Sequence, residues 1–159
     1  WLAAENGYFL RRGAEMEWET LFDNVDMKWR EDVMRVMKYF TDRTPRSWIE
    51  MGDTYTAWHY HDADEEFGEK QARDMVNHLL ASTGPSGCFA ITNYHRVVQA
   101  RPTGATKGFL VDRLITELEV FTCNVAIGHG LSRQGAHGKL DFILCVGDFL
   151  PSDEVPVRA

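Results

Sequence analysis

Lys107 and Asp148 are the two side chains whose positions in this 159-residue chain call for chemistry. Lys107 lies between Gly104 and Gly108, in the first turn of a helix expected over residues 106–119. The helix macrodipole disfavours a cation there by roughly 0.3–1 kcal/mol. The placement makes sense when an anion occupies the helix N-terminus and the glycines let the backbone approach it. Asp148 ends an apolar run, residues 140–147, that reads as a strand buried on both faces, as in parallel sheets. Ligand crevices in open α/β sheets lie outside the carboxyl ends of the strands, which is where Asp148 falls, with Asp153 and Glu154 just beyond. Oxygen ligands suit a hard cation such as magnesium. The expectation is a site for a metal ion and a phosphate.

Other candidates are weaker. His59 and His61 flank Tyr60 on an expected strand and would share a face, but no third ligand stands at useful spacing. They are expected to be structural or substrate-contacting imidazoles. Asp62-Ala63-Asp64 has the form of a DxD nucleophile but lacks the following Gly-Thr, and it opens a helix where acidic caps belong. Ser132 with His129 or His137 has no evident orienting carboxylate, so a hydrolase triad is not supported. Cys145 lies inside the buried strand, where a reactive thiol is not expected.

The elements that must position these groups follow from pattern. Residues 2–4 and 8–11 are short apolar segments around a turn at Gly7, and residues 17–22 could form a strand. Asp26 is placed to cap a helix over 27–41 whose apolar face is Trp29, Val33, Val36, Met37 and Phe40. Residues 47–51 and 55–60 read as a hairpin joined at Gly52-Asp53. Asp62 and Glu65 have capping-box spacing for a helix to about 82, with Phe67, Met75, Val76, Leu79 and Leu80 inward. Residues 88–92 and 96–100 pair around Asn93-Tyr94. The apolar face of the helix over 106–119 is Leu110, Val111, Leu114, Ile115 and Leu118, and residues 122–138 read as a long loop. The pattern suggests helices on one face of an antiparallel sheet over 27–102, inserted between outer segments that look like a parallel α/β core.

Composition narrows the classes. A net charge of -7 with no basic patch argues against nucleic acid as a partner. No apolar run approaches the about 20 residues that span a bilayer. Cys88, Cys123 and Cys145 are widely spaced with no CxxC pair, which favours reduced thiols and a cytoplasmic location. The chain opens on Trp1 without an initiator Met and is expected to be a piece of something longer.

The stretches Leu2-Ala3-Ala4-Glu5-Asn6-Gly7-Tyr8, Tyr39-Phe40-Thr41-Asp42-Arg43-Thr44, Ser47-Trp48-Ile49-Glu50, and Ala57-Trp58-His59-Tyr60-His61-Asp62-Ala63-Asp64 with Glu66-Phe67-Gly68 form an ordered set of motifs. Residues 97–102 with Lys107-Gly108, and residues 141–148, continue it. Together, and in family order, they resemble trehalose-6-phosphate phosphatase domains, most of all those fused behind the glycosyltransferase half of large trehalose-phosphate synthases. The resemblance implies a partial Rossmann-like core of the haloacid dehalogenase type with an inserted α/β cap subdomain. Residues 1–26 and 103–159 would belong to the core and 27–102 to the cap. It implies Mg2+-dependent hydrolysis of trehalose 6-phosphate through an aspartyl-phosphate, with Lys107 as the phosphate-binding lysine. Asp148, Asp153 and Glu154 would be metal ligands. Glu5, His59, His61, Gln99 and Arg101 fall where the family recognises its sugar, and a fused or associated synthase domain is an implied partner.

Three departures qualify the expected activity. The nucleophile motif Asp-x-Asp-Gly-Thr and the Ser/Thr motif are absent from the chain. The acidic motif, usually Gly-Asp-Asp-x-x-Asp-Glu, carries Phe149 in place of its second Asp and shifts Asp153-Glu154 by one residue. Gln99 stands where the family usually has Glu. The intact protein is expected to be a phosphatase and this chain alone to be inactive; the alternative is a non-catalytic regulatory module of a synthase.

Overall fold

A computed structural model describes residues 1–22, 25–83 and 87–128. Trp1–Ala105 form one compact unit and Thr106–Ala159 a second. The first unit opens with an antiparallel meander, β1 (Leu2–Ala4), β2 (Phe9–Arg11) and β3 (Glu19–Thr20), in that order across the sheet. A single 3-10 turn, Glu5–Gly7, reverses the chain between β1 and β2 through three left-handed residues: Glu5 (φ 50°), Asn6 (57°) and Gly7 (84°). Leu10 is fully buried, and Tyr8 stacks on Phe22 at 5.4 Å. Among the described residues β1 pairs antiparallel with β2, because the left-handed turn leaves too short a connection for a crossover between them; the parallel core expected of residues 2–8 and 106–148 involves the closing strand, which lies outside the described residues.

The rest of the unit alternates helix and hairpin: α1 (Trp29–Thr41), β4 (Trp48–Met51), β5 (Thr56–His59), α2 (Glu65–Thr83), β6 (Phe89–Tyr94) and β7 (Val97–Pro102). The four strands form an antiparallel sheet in the order β4-β5-β7-β6. Both helices pack on one of its faces, as the spacing of apolar residues predicts. Trp29, Val33, Met37 and Phe40 recur every three or four residues along α1 and meet Ala72, Met75 and Leu79 of α2. Trp58 of β5 and Tyr60, just past its end, stack at 5.0 Å and supply the sheet's share of the core with Val98 and Ala100.

Local departures have local causes. Asp26 does accept the backbone N–H of Lys28, at 2.9 Å, just before α1 begins. The cap of α2 is Asp64, not Asp62: its Oδ1 takes the Phe67 N–H at 2.9 Å, while residues 60–63 close a turn through Ala63 N–H and Tyr60 C=O. The face of α2 turns accordingly, burying Ala72 and leaving Phe67 and Leu80 exposed. The second hairpin turns at His95-Arg96 rather than Asn93-Tyr94. Both residues have positive φ (49° and 62°), the type I′ geometry that matches strand twist. Arg96 tolerates that conformation because its side chain donates to the carbonyls of His61 (3.1 Å) and Ala63 (3.2 Å). Asn93 stays in β6 and accepts a hydrogen bond from the Tyr60 hydroxyl at 3.1 Å.

In the second unit, α3 (Lys107–Gly128) starts at a Thr106 cap whose Oγ1 accepts the Phe109 N–H at 3.0 Å. It continues through residues 122–128, expected as loop, because neither Gly nor Pro interrupts residues 109–127. The closing strand and the remainder of the expected loop lie outside the described residues. Among the described residues no helix is long and apolar enough to cross a membrane.

Trp58→Ala should lower stability by about 3–5 kcal/mol, because it empties a fully buried site. Leu80→Ala, at an exposed position, should change it by about 0.5 kcal/mol or less. The shift in denaturant midpoint of each variant measures this.

Candidate functional site

The sheet face opposite α1 and α2 gathers several of the residues that sequence singles out. Register places Trp48, His59, Val97 and Tyr94 in one row across the four strands, and Glu50, Ala57, Gln99 and Thr92 in the next. By the two-residue period these point away from the core that Trp58, Val98 and Ala100 enter. Ala57, 2% exposed, lies between Glu50 and Gln99, whose strands lie about 10 Å apart. His61 lies past the end of β5, yet its ring stands at right angles to that of His59, 6.0 Å away. Its Nε2 is 3.2 Å from Asp62 Oδ2.

A polar chain runs along this face. The Tyr55 hydroxyl donates to Glu50 Oε1 at 2.6 Å, and Glu50 Oε2 lies 2.8 Å from His59 Nε2. The His59 ring lies flat on Trp48, with centroids 3.9 Å apart and planes 5° from parallel. The hydrogen bond from Tyr55, and next that from His59, hold the Glu50 carboxyl below its ordinary value. The same carboxylate, with burial, pushes the Tyr55 hydroxyl up to about 12.

Glu5 and Arg101 are fixed differently. Glu5 reaches the turn between β4 and β5, where its carboxylate accepts the N–H groups of Asp53 and Thr54, each at 2.8 Å, and the Thr54 hydroxyl. From the other side Arg30 of α1 donates to the carbonyls of Gly52 and Asp53, both at 2.7 Å. Gly52 is required by space: a Cβ there would meet the Tyr55 ring and stand 2.8 Å from Glu5 Oε1. Arg101 falls on the outer face by alternation but is only 3% exposed, and its guanidinium donates to the Ala105 carbonyl. The structure thus assembles His59, His61 and Gln99 on one surface, with Glu5 beneath the hairpin and Arg101 buried at its far end.

In the second unit, Lys107 is the first residue of α3, directly after its Thr106 cap, the position that the helix-terminus argument requires. Asp148, Asp153 and Glu154 lie outside the described residues. Among the described residues no three His, Cys, Asp or Glu side chains are placed to hold a metal ion. Sequence reasoning gave no role to Glu50 or Tyr55. Their signal was available: Glu50 and His59 alternate onto one face of facing strands, where opposite partners attract.

A family model described as Trehalose-phosphatase matches residues 1–157. The alpha,alpha-trehalose-phosphate synthase [UDP-forming] 1 of Arabidopsis thaliana is 39% identical over 155 residues, which are 97% of this chain and 15% of that protein. The trehalose-6-phosphate phosphatase C-terminal domain of C. albicans superposes with a TM-score of 0.66 at 31% identity, over 70% of this chain and 38% of the other. The trehalose-6-phosphate phosphatase of Aspergillus fumigatus gives 0.60 at 35% identity, over 73% of this chain and 43% of the other. The chain thus spans 15–18% of the length of the first two curated relatives and about two fifths of the solved phosphatases.

Glu5→Ala should destabilise the fold by about 2 kcal/mol, because it strips charge-assisted acceptors from two backbone donors; thermal unfolding reads this. The polar chain predicts two pH limits. Glu50 titrates lower in the folded state, so its stabilisation is complete above 4.5 and is lost as pH falls through the lowered value. Tyr55 titrates higher, so its contribution is complete below 10 and is lost as pH rises through about 12. Phenolate absorbance should show Tyr55 returning toward 10 in Glu50→Gln; an unchanged titration would mean that Glu50 does not hold its proton.

Proposed function

The chain belongs to the trehalose-phosphatase family, and from that premise we propose that it is part of an enzyme that hydrolyses trehalose 6-phosphate to trehalose and phosphate. The observation that carries this reading is the family match across residues 1–157, almost the whole chain. In this reading the αββαββ portion is the cap, inserted into a haloacid dehalogenase-type core to which residues 1–26 and 103–159 belong. Its outer sheet face covers the sugar. His59, His61 and Gln99 contact hydroxyls, Glu5 sets the hairpin that carries β4 and β5, and Arg101 anchors the far end of β7.

Lys107 neutralises charge on the transferring phosphoryl group, where a fixed cation acts on oxygens that gain charge in the transition state. Mg2+ is the proposed cofactor, with Asp148, Asp153 and Glu154 as ligands; hard carboxylate oxygens suit it. The described residues hold no part of that site, and no step is derived through it. The nucleophile motif is not in this sequence, so the chain alone is proposed to be inactive. Curated relatives named as synthases, of which it covers under a fifth, make a fused or associated synthase domain the proposed partner. The cytoplasm is the proposed location, on the reading of the cysteines as reduced thiols.

Phe149 after Asp148, and Gln99 on the sugar-facing strand, favour a second reading. In it the domain binds sugar phosphate within a synthase and hydrolyses nothing.

Phosphate release from trehalose 6-phosphate by the intact protein with magnesium separates the two. Activity that chelation abolishes, and that Lys107→Ala reduces about 100-fold or more, supports the enzyme. Equal rates for wild type and Lys107→Ala would remove Lys107 from the reaction. No release at all, with binding retained, would establish the regulatory module.

A further inference from the structure

Trp48 is 44% exposed, and a single exposed aromatic is ordinary on a protein surface. What sets it apart is how firmly it is held. One face of the indole is covered by the parallel His59 ring at 3.9 Å. His59 is itself fixed by Glu50 at 2.8 Å, and Glu50 by the Tyr55 hydroxyl at 2.6 Å. His61 stands edge-on to the indole, 6.4 Å away and 86° from its plane. Four side chains thus restrain a ring that fills no core, so packing alone does not account for them. Their effect is a flat apolar surface, oriented in advance and bordered by a carboxylate and imidazoles that can give and take hydrogen bonds.

We propose that Trp48 is a specificity-determining residue that stacks on a pyranose ring of the ligand, with His59 and Glu50 as positioning residues behind it. The C–H bonds on one side of a pyranose carry partial positive charge and face the negative π-cloud of an aromatic ring favourably, while the ring's hydroxyls point outward to polar neighbours. A sugar thereby satisfies both parts of this surface at once. An indole already locked in place loses little freedom on binding, which raises affinity without any new contact. The inference rests on the sugar-phosphate reading above. It adds a contact through the sugar's apolar side to the hydroxyl contacts assigned to His59, His61 and Gln99.

The test is calorimetric titration of the intact protein, kept free of magnesium so that nothing is hydrolysed, with trehalose, trehalose 6-phosphate and inorganic phosphate, in wild type, Trp48→Ala, Trp48→Leu and Trp48→Phe. Trp48→Ala and Trp48→Leu should each bind both sugars about tenfold more weakly, and Trp48→Phe should recover to within about threefold. Phosphate affinity should be equal in all four. Trp48→Leu keeps apolar bulk without a π-face, so it stays informative should the alanine variant fail to fold. Wild-type sugar affinity in Trp48→Leu, or no recovery in Trp48→Phe, overturns the stacking role and leaves the functional reading standing. A wild type that binds phosphate but neither sugar overturns both.

Discussion

The turn between β4 and β5 is held from two sides, and the arrangement of the first unit depends on it. Glu5 takes its N–H groups and Arg30 takes its carbonyls, so a reversal that would otherwise need water is satisfied by ion-strength hydrogen bonds. The two partners come from the opening meander and from α1, so one four-residue turn joins three parts of the chain. Glu5 and Asn6 adopt left-handed conformations that disfavour residues with a side chain. The bonds that Glu5 makes to residues 53 and 54 offset that strain.

With the turn pinned, Tyr55 is its last residue and Glu50 lies two residues before its first, Gly52. The hydroxyl–carboxylate–imidazole chain that leads to Trp48 is therefore built on the same foundation. Rigidity passes from the base of the hairpin to an exposed aromatic at its other end. The inner face of the sheet is filled by Trp58, Tyr60, Val98 and Ala100 against the helices, and the proposed function places the sugar on the outer face.

Much of the architecture was legible in sequence because periodicity reports burial directly. The α1 stripe of Trp29, Val33, Met37 and Phe40 predicted both element type and inward face, and Gly52-Asp53 marked the first hairpin. The errors came where local chemistry offers near-equal choices. Asp62 and Asp64 are both good caps, and the Tyr60–Ala63 turn decides between them. Asn93-Tyr94 looks more turn-like than His95-Arg96, yet Arg96 closes the turn through backbone carbonyls some thirty residues away. The end of α3 was misjudged because polar composition near residue 130 outweighed an unbroken run before it.

The sequence by itself determined the helix–hairpin alternation, the inner core and, through stretches in family order, membership of the phosphatase family. It also placed Lys107 at a helix start, since capping and macrodipole effects act within a single turn. Only the tertiary structure decided that Glu5 grips a hairpin some fifty residues away, that Arg101 is buried, and that Glu50 and Tyr55 support His59 and Trp48. Those facts depend on strand register and on long-range hydrogen bonds: alternation puts Glu50 and His59 on one face, but only the register makes them neighbours.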